Sequence, residues 1–178
     1  LDQLRSDGRL KNTYVIFTSD HGLAIGSHGL MGKQNMYDHT VRVPFLICGP
    51  DLTKGLKVKT FGHLRDMYPT VCELAGIEVP KTVEGNSLVP VLFDSKKKIY
   101  KFSYGYFRDV QRMVQVEQWK LIFYPKINRY QLFDLSSDPF EMSDLIMVKD
   151  HQPRVQRMRQ SLLKWFDDQG DVAVRSLK

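Results

Sequence analysis

Apolar residues along the chain come in short runs separated by turn-forming residues, and the spacing inside each run predicts its conformation. Thr13 to Thr18 reads Thr-Tyr-Val-Ile-Phe-Thr, six β-formers with little alternation, the pattern of a strand covered on both faces. A second run, Val43 to Cys48, is closed by Gly49-Pro50, with Pro44 confining ladder pairing to the residues after it. Leu1 to Arg5 has the composition of a helix end, stopped at Asp7-Gly8. Asp66 is placed to cap a helix with Pro69 in its first turn; Met67, Val71, Leu74 and Ala75 form its apolar face, and Gly76 ends it. Strand, strand and helix in that order predict a mostly parallel sheet layered with helices. Beyond Pro80 the pattern loosens through Gly85-Asn86-Ser87, Pro90 and a lysine run, which places a lobe boundary near residue 95 and divides the chain into 1–95 and 96–178. In the second part, Phe102–Phe107, Arg112–Val116, Trp119–Tyr124 and Tyr130–Leu135 alternate like strands of an antiparallel sheet. A final helix from about Pro153 to Asp168 carries Val155, Met158, Leu162, Trp165 and Phe166 as one apolar stripe.

Composition narrows this picture without redirecting it. The chain has 178 residues, 42% hydrophobic and 26% charged, with no biased tract, which excludes disorder, collagen-like repeat and coiled coil. One sizeable core, or two small lobes, is what this length allows. The formal net charge of +6 is scattered, and its densest block, Lys96-Lys97-Lys98, reads as a solvated loop rather than a nucleic-acid patch. Cys48 and Cys72 have neither zinc-site nor redox-pair spacing. Apolar runs stop at about six residues, well below the ~20 that a membrane span needs. The chain starts on Leu1 inside an element, which leads us to expect a fragment of a longer protein.

Candidate chemistry concentrates between the first two strands. Asp20 and His21 lie where the first strand releases the chain, the end at which open α/β sheets place ligands. Asp offers a hard oxygen to Ca²⁺ or Mg²⁺, and His can ligate a metal or bond an anion, although Asp-x-Gly is also ordinary turn chemistry. The segment from Asp20 to Arg42 holds Gly22, Gly26, Gly29 and Gly32, and loops of that length in compact domains are usually functional or disordered. Lys33, at Gly32-Lys33, presents a compact positive charge suited to a tetrahedral anion, with a surface lysine as the plain alternative. His28 and His39 share the loop.

These residues resemble a family. Asn12-Thr-Tyr-Val-Ile-Phe-Thr-Ser-Asp-His-Gly22, Gly26-Ser-His-Gly-Leu-Met-Gly-Lys33, Tyr37-Asp38 and Arg42-Val-Pro-Phe-Leu-Ile47 look like the second half of a sulfatase catalytic domain, in the alkaline-phosphatase-like superfamily. Asp66-Met-Tyr-Pro-Thr-Val-Cys-Glu-Leu-Ala-Gly-Ile77 and Gly85-Asn-Ser-Leu88 are similar to the family's following helix and segment. Trp119-Lys-Leu-Ile122 and Leu132-Phe-Asp-Leu-Ser-Ser-Asp-Pro-Phe-Glu141 resemble its C-terminal lobe. The likeness runs in order over nearly the whole chain. It lacks the Cys-x-Pro/Ala-x-Arg motif whose Cys becomes formylglycine, since Cys48 and Cys72 stand in other contexts.

The resemblance implies an α/β fold: the C-terminal part of an alkaline-phosphatase-like catalytic domain plus a small four-stranded antiparallel lobe packed by a C-terminal helix. It implies sulfate ester hydrolysis by the whole protein, with the formylglycine nucleophile outside these 178 residues, which alone would be inactive. It places Asp20 and His21 at a divalent metal, usually Ca²⁺, and Lys33 on the sulfate, with His28 as a further substrate-binding candidate. Many relatives carry Asn in place of His21. The implied partners are a sulfated small molecule or glycan and the remaining N-terminal part of the same protein, with no nucleic acid and no membrane. The implied location is outside the cytoplasm: periplasmic, extracellular or lysosomal. Two other readings stay open, a phosphonate or phosphate ester hydrolase of the same superfamily and a non-catalytic basic binding module. At the C-terminal motifs, Asp134 and Glu141 are expected to bond local backbone, Trp119 to pack and Lys120 to face solvent.

Overall fold

A computed structural model of the chain describes residues 1–171, which fall into two compact units. Leu1–Asp20 with Pro44–Lys101 make the first; His21–Val43 with the chain from Phe102 onward make the second. The 21–43 loop thus belongs to the C-terminal unit, although the strands on either side of it do not.

In the first unit, helix α1 (Asp2–Ser6) ends where expected, with Gly8 at a φ of 67°. Strand β1 (Val15–Thr18) pairs with β4 (Phe45–Cys48), and Val15 faces Cys48 while Thr18 faces Phe45. This pairing is antiparallel, which corrects the expected parallel arrangement. The chain returns through a loop rather than through the crossover helix that parallel neighbours need. Nor is the pair covered on both faces: Phe17 is 62% exposed and Leu46 59%.

Helix α3 (Met67–Leu74) forms as its pattern predicts, but the sides are exchanged: Pro69, Thr70 and Cys72 are buried and Val71 is exposed. The reason is Asp66. Its carboxylate caps no turn of α3; it is fully buried and accepts from the backbone N–H of His63 (2.7 Å), the N–H of Asn86 (2.9 Å) and the hydroxyl of Tyr100 (2.6 Å). The Asp66 carbonyl takes the Thr70 hydroxyl at 2.6 Å, and that hydroxyl oxygen accepts the Leu88 N–H at 2.9 Å, just before helix α4 (Val89–Phe93). One buried side chain therefore ties three loops to one helix face. Lys96, Lys97 and Lys98 are exposed.

In the second unit, β5 (Ser103–Phe107), β6 (Gln111–Val116), β7 (Trp119–Tyr124) and β8 (Arg129–Asp134) form an antiparallel meander in chain order. Asn128 at a φ of 46° turns the chain into β8. Helix α5 (Gln152–Asp168) lays Val155, Met158, Leu162 and Phe166 against one face of the sheet, over Val114, Trp119, Leu121, Phe123 and Leu132. The opposite face carries Met113, Ile122 and Phe133, and it is covered by Met36 and Tyr37 of the long loop. Both faces of β7 are buried, because side chains alternate along a strand and each side has its own cover. Arg112, 3% exposed, closes the end of α5 with a bidentate pair to Asp171 (2.6 and 2.9 Å) while lying over the Phe166 ring.

Candidate functional site

The site is built by a hairpin inside the long loop. Strand β2 (Ala24–Ile25) pairs with β3 (Met31–Gly32) around a single 3₁₀ turn at Ser27–Gly29. The reversal is tight enough that Gly26, Gly29 and Gly32 all take positive φ, as does His28 at 55°. Doubling back in this way brings Lys33 to His21, with Nζ 2.6 Å from Nε2. The other ring nitrogen, Nδ1, is 2.8 Å from the Gly22 carbonyl oxygen. A carbonyl only accepts, so Nδ1 holds the proton and Nε2 takes its hydrogen bond from the lysine ammonium.

The turn bearing His21 is fastened to helix α2 (Asp38–Val41). Gly22 donates its N–H to the Thr40 carbonyl at 2.7 Å, and a Cβ on Gly22 would lie 2.1 Å from the His39 carbonyl oxygen, so only glycine fits. Ahead of α2, buried Asn35 accepts the Tyr37 N–H at 3.1 Å, and the Tyr37 hydroxyl donates to Gln131 at 3.0 Å.

His28 stacks on the Tyr37 ring, centroids 4.0 Å apart and planes 8° apart, and its Nε2 donates to the Phe140 carbonyl at 3.0 Å. Both contacts fix the imidazole in place within the second unit. His39 lies 5.6 Å from the His28 ring, and burial holds it below its ordinary pKa, with the His28 and Lys120 charges adding to the effect.

Two positions differ from expectation. Lys120 does not face solvent: it is fully buried, bonded to the Asp38 carboxylate and to the Met36 carbonyl at 3.3 Å, and ion-paired with Glu141 Oε1 at 2.7 Å. The strand face it occupies is the one roofed by the loop. Nor does Glu141 bond its local backbone, for Oε2 takes the Asp38 N–H at 2.6 Å from more than a hundred residues away. Burial pushes the Glu141 carboxyl above its ordinary pKa, and the Lys120 charge pulls it back. Asp134 does bond locally, to Ser136, and Trp119 packs with Arg154 over its ring at 3.7 Å. The buried triad of Asp38, Lys120 and Glu141 is the feature of this unit that motifs alone do not reveal. Its one signal in the sequence was that Lys120 shares a strand with five residues of apolar or aromatic type and so stands between two covered faces.

Asp20 is exposed at the end of the segment that follows β1. No cluster of three or more His, Cys, Asp or Glu side chains is placed to hold a metal ion among the described residues. No helix among them is long and apolar enough to cross a membrane.

The His21–Lys33 pair is thus carried by a glycine-rich loop that also roofs one face of the meander sheet, whose other face is backed by α5. Residues 26–168 match the family described as N-sulphoglucosamine sulphohydrolase, C-terminal, and the chain belongs to that family. It is 34% identical over 160 residues to arylsulfatase K of Xenopus laevis, covering 82% of this chain and 30% of the relative. It is 32% identical to the N-acetylglucosamine-6-O-sulfatase of Bacteroides thetaiotaomicron, covering 91% of this chain and 31% of that one. A solved structure of a protein in complex with its substrate D-glucosamine-2-N,6-O-disulfate superposes with a TM-score of 0.85 at 27% identity, covering 97% of this chain and 37% of the other. The expected alkaline-phosphatase-like fold of a sulfatase C-terminal portion is thereby met. The chain spans roughly a third of the length of the curated relatives it matches.

Proposed function

We propose that the protein carrying this chain hydrolyses sulfate esters and that Lys33, paired with His21, meets the sulfate group. The observation behind this is the 2.6 Å contact between Lys33 Nζ and His21 Nε2, created by the β2–β3 hairpin. An ammonium has three N–H donors; one goes to His21, leaving two for nonbridging sulfate oxygens. The charge developing on those oxygens is stabilised by a cation already in position, so little reorganisation is needed as the ester bond breaks. His21, with its proton fixed on Nδ1, holds the lysine at that spot. His28, locked against Tyr37, is a further candidate for substrate contact. The nucleophile, on the family's pattern a formylglycine, and the acid that protonates the leaving oxygen come from outside these residues.

Asp20 has the donor chemistry for a divalent ion such as Ca²⁺, and would hold it; a bound ion would add charge neutralisation at the sulfate. His21 spends Nε2 on Lys33 in this arrangement, which suits an anion-handling pair better than a ligand. A calcium shell of six to eight oxygens would need ligands from elsewhere in the protein. As substrate class we favour a sulfated sugar, because one relative is named for an aminosugar sulfate and one superposed structure is a complex with another; the sulfatase resemblance supports an exported compartment.

The test is turnover by the full-length protein. With 4-nitrophenyl sulfate, Lys33→Ala should lower kcat by ~10²–10³-fold, the usual cost of removing one charge-stabilising donor. Preference for a phenyl phosphonate ester over the sulfate would move the assignment to phosphonate hydrolysis, and a loss below fivefold would remove Lys33 from the reaction.

A further inference from the structure

We propose that Lys120 and Glu141 are positioning residues for the His21–Lys33 pair, acting through the buried Asp38–Lys120–Glu141 triad that fixes helix α2. The proposal rests on the reading of that pair as the anion-handling element.

The path is short and made of directed bonds. Glu141 takes the first N–H of α2 at 2.6 Å. Lys120 grips the same turn at two further points, the Asp38 carboxylate and the Met36 carbonyl. The Thr40 carbonyl of that helix then receives the Gly22 N–H at 2.7 Å, and the Gly22 carbonyl receives His21 Nδ1–H at 2.8 Å. Glu141 is therefore connected to the imidazole through one four-residue helix and one peptide unit.

Stability alone is a poor account of this triad. Buried ion clusters replaced by apolar side chains of similar volume often leave a fold as stable or more so, because desolvation cancels most of the Coulomb gain. What an apolar replacement does not reproduce is direction. Three polar contacts from one ammonium, which is fully buried, set both the height and the rotation of α2 over the sheet. Arg42, with Nη1 3.6 Å from Asp38 Oδ2, brings the local charge to balance.

The experiment is a double-mutant cycle in the full-length protein, read as kcat and KM on 4-nitrophenyl sulfate. Glu141→Gln keeps the shape and removes the charge. It should lower kcat by ~10–100-fold, the scale of a misplacement near 1 Å, with KM within about threefold. In a Lys33→Ala background the same change should cost less than about twofold, because its target is already gone. An equal factor in both backgrounds would overturn the proposal. A second variant guards against misfolding: Asp38→Leu, Lys120→Met and Glu141→Leu together should keep the circular dichroism spectrum and melting point yet show the same fall in kcat, and wild-type kcat in that folded variant would also overturn it. A third readout needs no turnover. Histidine ¹⁵N NMR should report His21 protonated on Nδ1 in the native protein and a mixture of tautomers in Glu141→Gln; an unchanged tautomer would count against the proposal. If native protein hydrolysed no sulfate ester, the functional reading would fall while the NMR result still decided this one.

Discussion

Replacing Asp66 by Asn changes one atom of the first unit and should unfasten three of its loops. The native carboxylate serves three donors: Oδ2 takes the His63 N–H, and Oδ1 takes both the Asn86 N–H and the Tyr100 hydroxyl. In its better orientation Asn keeps one acceptor oxygen for Asn86 and Tyr100 and turns its NH₂ toward His63, setting donor against donor. The lost charge-assisted bond is worth about 1.5–3 kcal/mol, and a desolvated, unsatisfied N–H costs about 1–3 kcal/mol more. With His63 only half-buried, the sum is about 3–5 kcal/mol. At 1.4 kcal/mol per tenfold, exchange protection of the His63 and Asn86 amides should fall by ~10²–10⁴-fold. Native-state hydrogen exchange measures this directly. Tyr100 gives a second reading: burial, and then its bond to the Asp66 carboxylate, hold its phenol above the ordinary value, so Asp66→Asn should lower the pH at which its 295 nm absorbance rises. Protection within fivefold of wild type, with the Tyr100 titration unmoved, would refute the assignment of Asp66 as the junction of this unit.

Further outcomes follow from other contacts. Asp171→Ala leaves the buried Arg112 guanidinium without its carboxylate, at a cost near 3 kcal/mol, so the melting point of the second unit should drop by ~10 °C or more, while Arg112→Met with Asp171→Ala together should recover part of it. Burial holds His39 and His63 below the ordinary 6.5, so the unfolded chain takes up protons first as pH falls. Their contribution to stability is full above pH 6.5 and declines below it; the slope of melting temperature between pH 7.5 and 5.5 should flatten in His39→Gln with His63→Gln, and an unchanged slope would contradict the two shifts. The 178 residues alone should show no turnover of an aryl sulfate, measured against the full-length protein under the same conditions.

The strands of the meander and the long C-terminal helix were legible because alternation and a 3.6-residue stripe are written into neighbouring residues. The direction of β1 against β4 was not, since a run of β-formers carries no sign of which way its neighbour travels. Asp66 looked like the N-cap of α3 from its local setting; its carboxylate instead closes a capping box with the His63 N–H three residues back, and its other donors come from residues 86 and 100, which no local pattern joins to it. Within the site, motif order exposed His21 and Lys33, whose roles depend on a nearby glycine-rich turn. Lys120 and Glu141 escaped for the opposite reason: Lys120 meets Asp38 across 82 residues, and only the folded sheet reveals that the loop roofs that face.

Gly22 bears on how such chains are recognised at all. Its side-chain position is filled by the His39 carbonyl, so the glycine of Asp-His-Gly records a close approach of two pieces of backbone. Lys33 has no such steric obligation; its proposed duty is to meet the sulfate. If the proposed role of Lys33 holds, a descendant that lost it would keep Gly22 and let Lys33 drift, and a search that scores the glycine most heavily would gather both kinds of chain together.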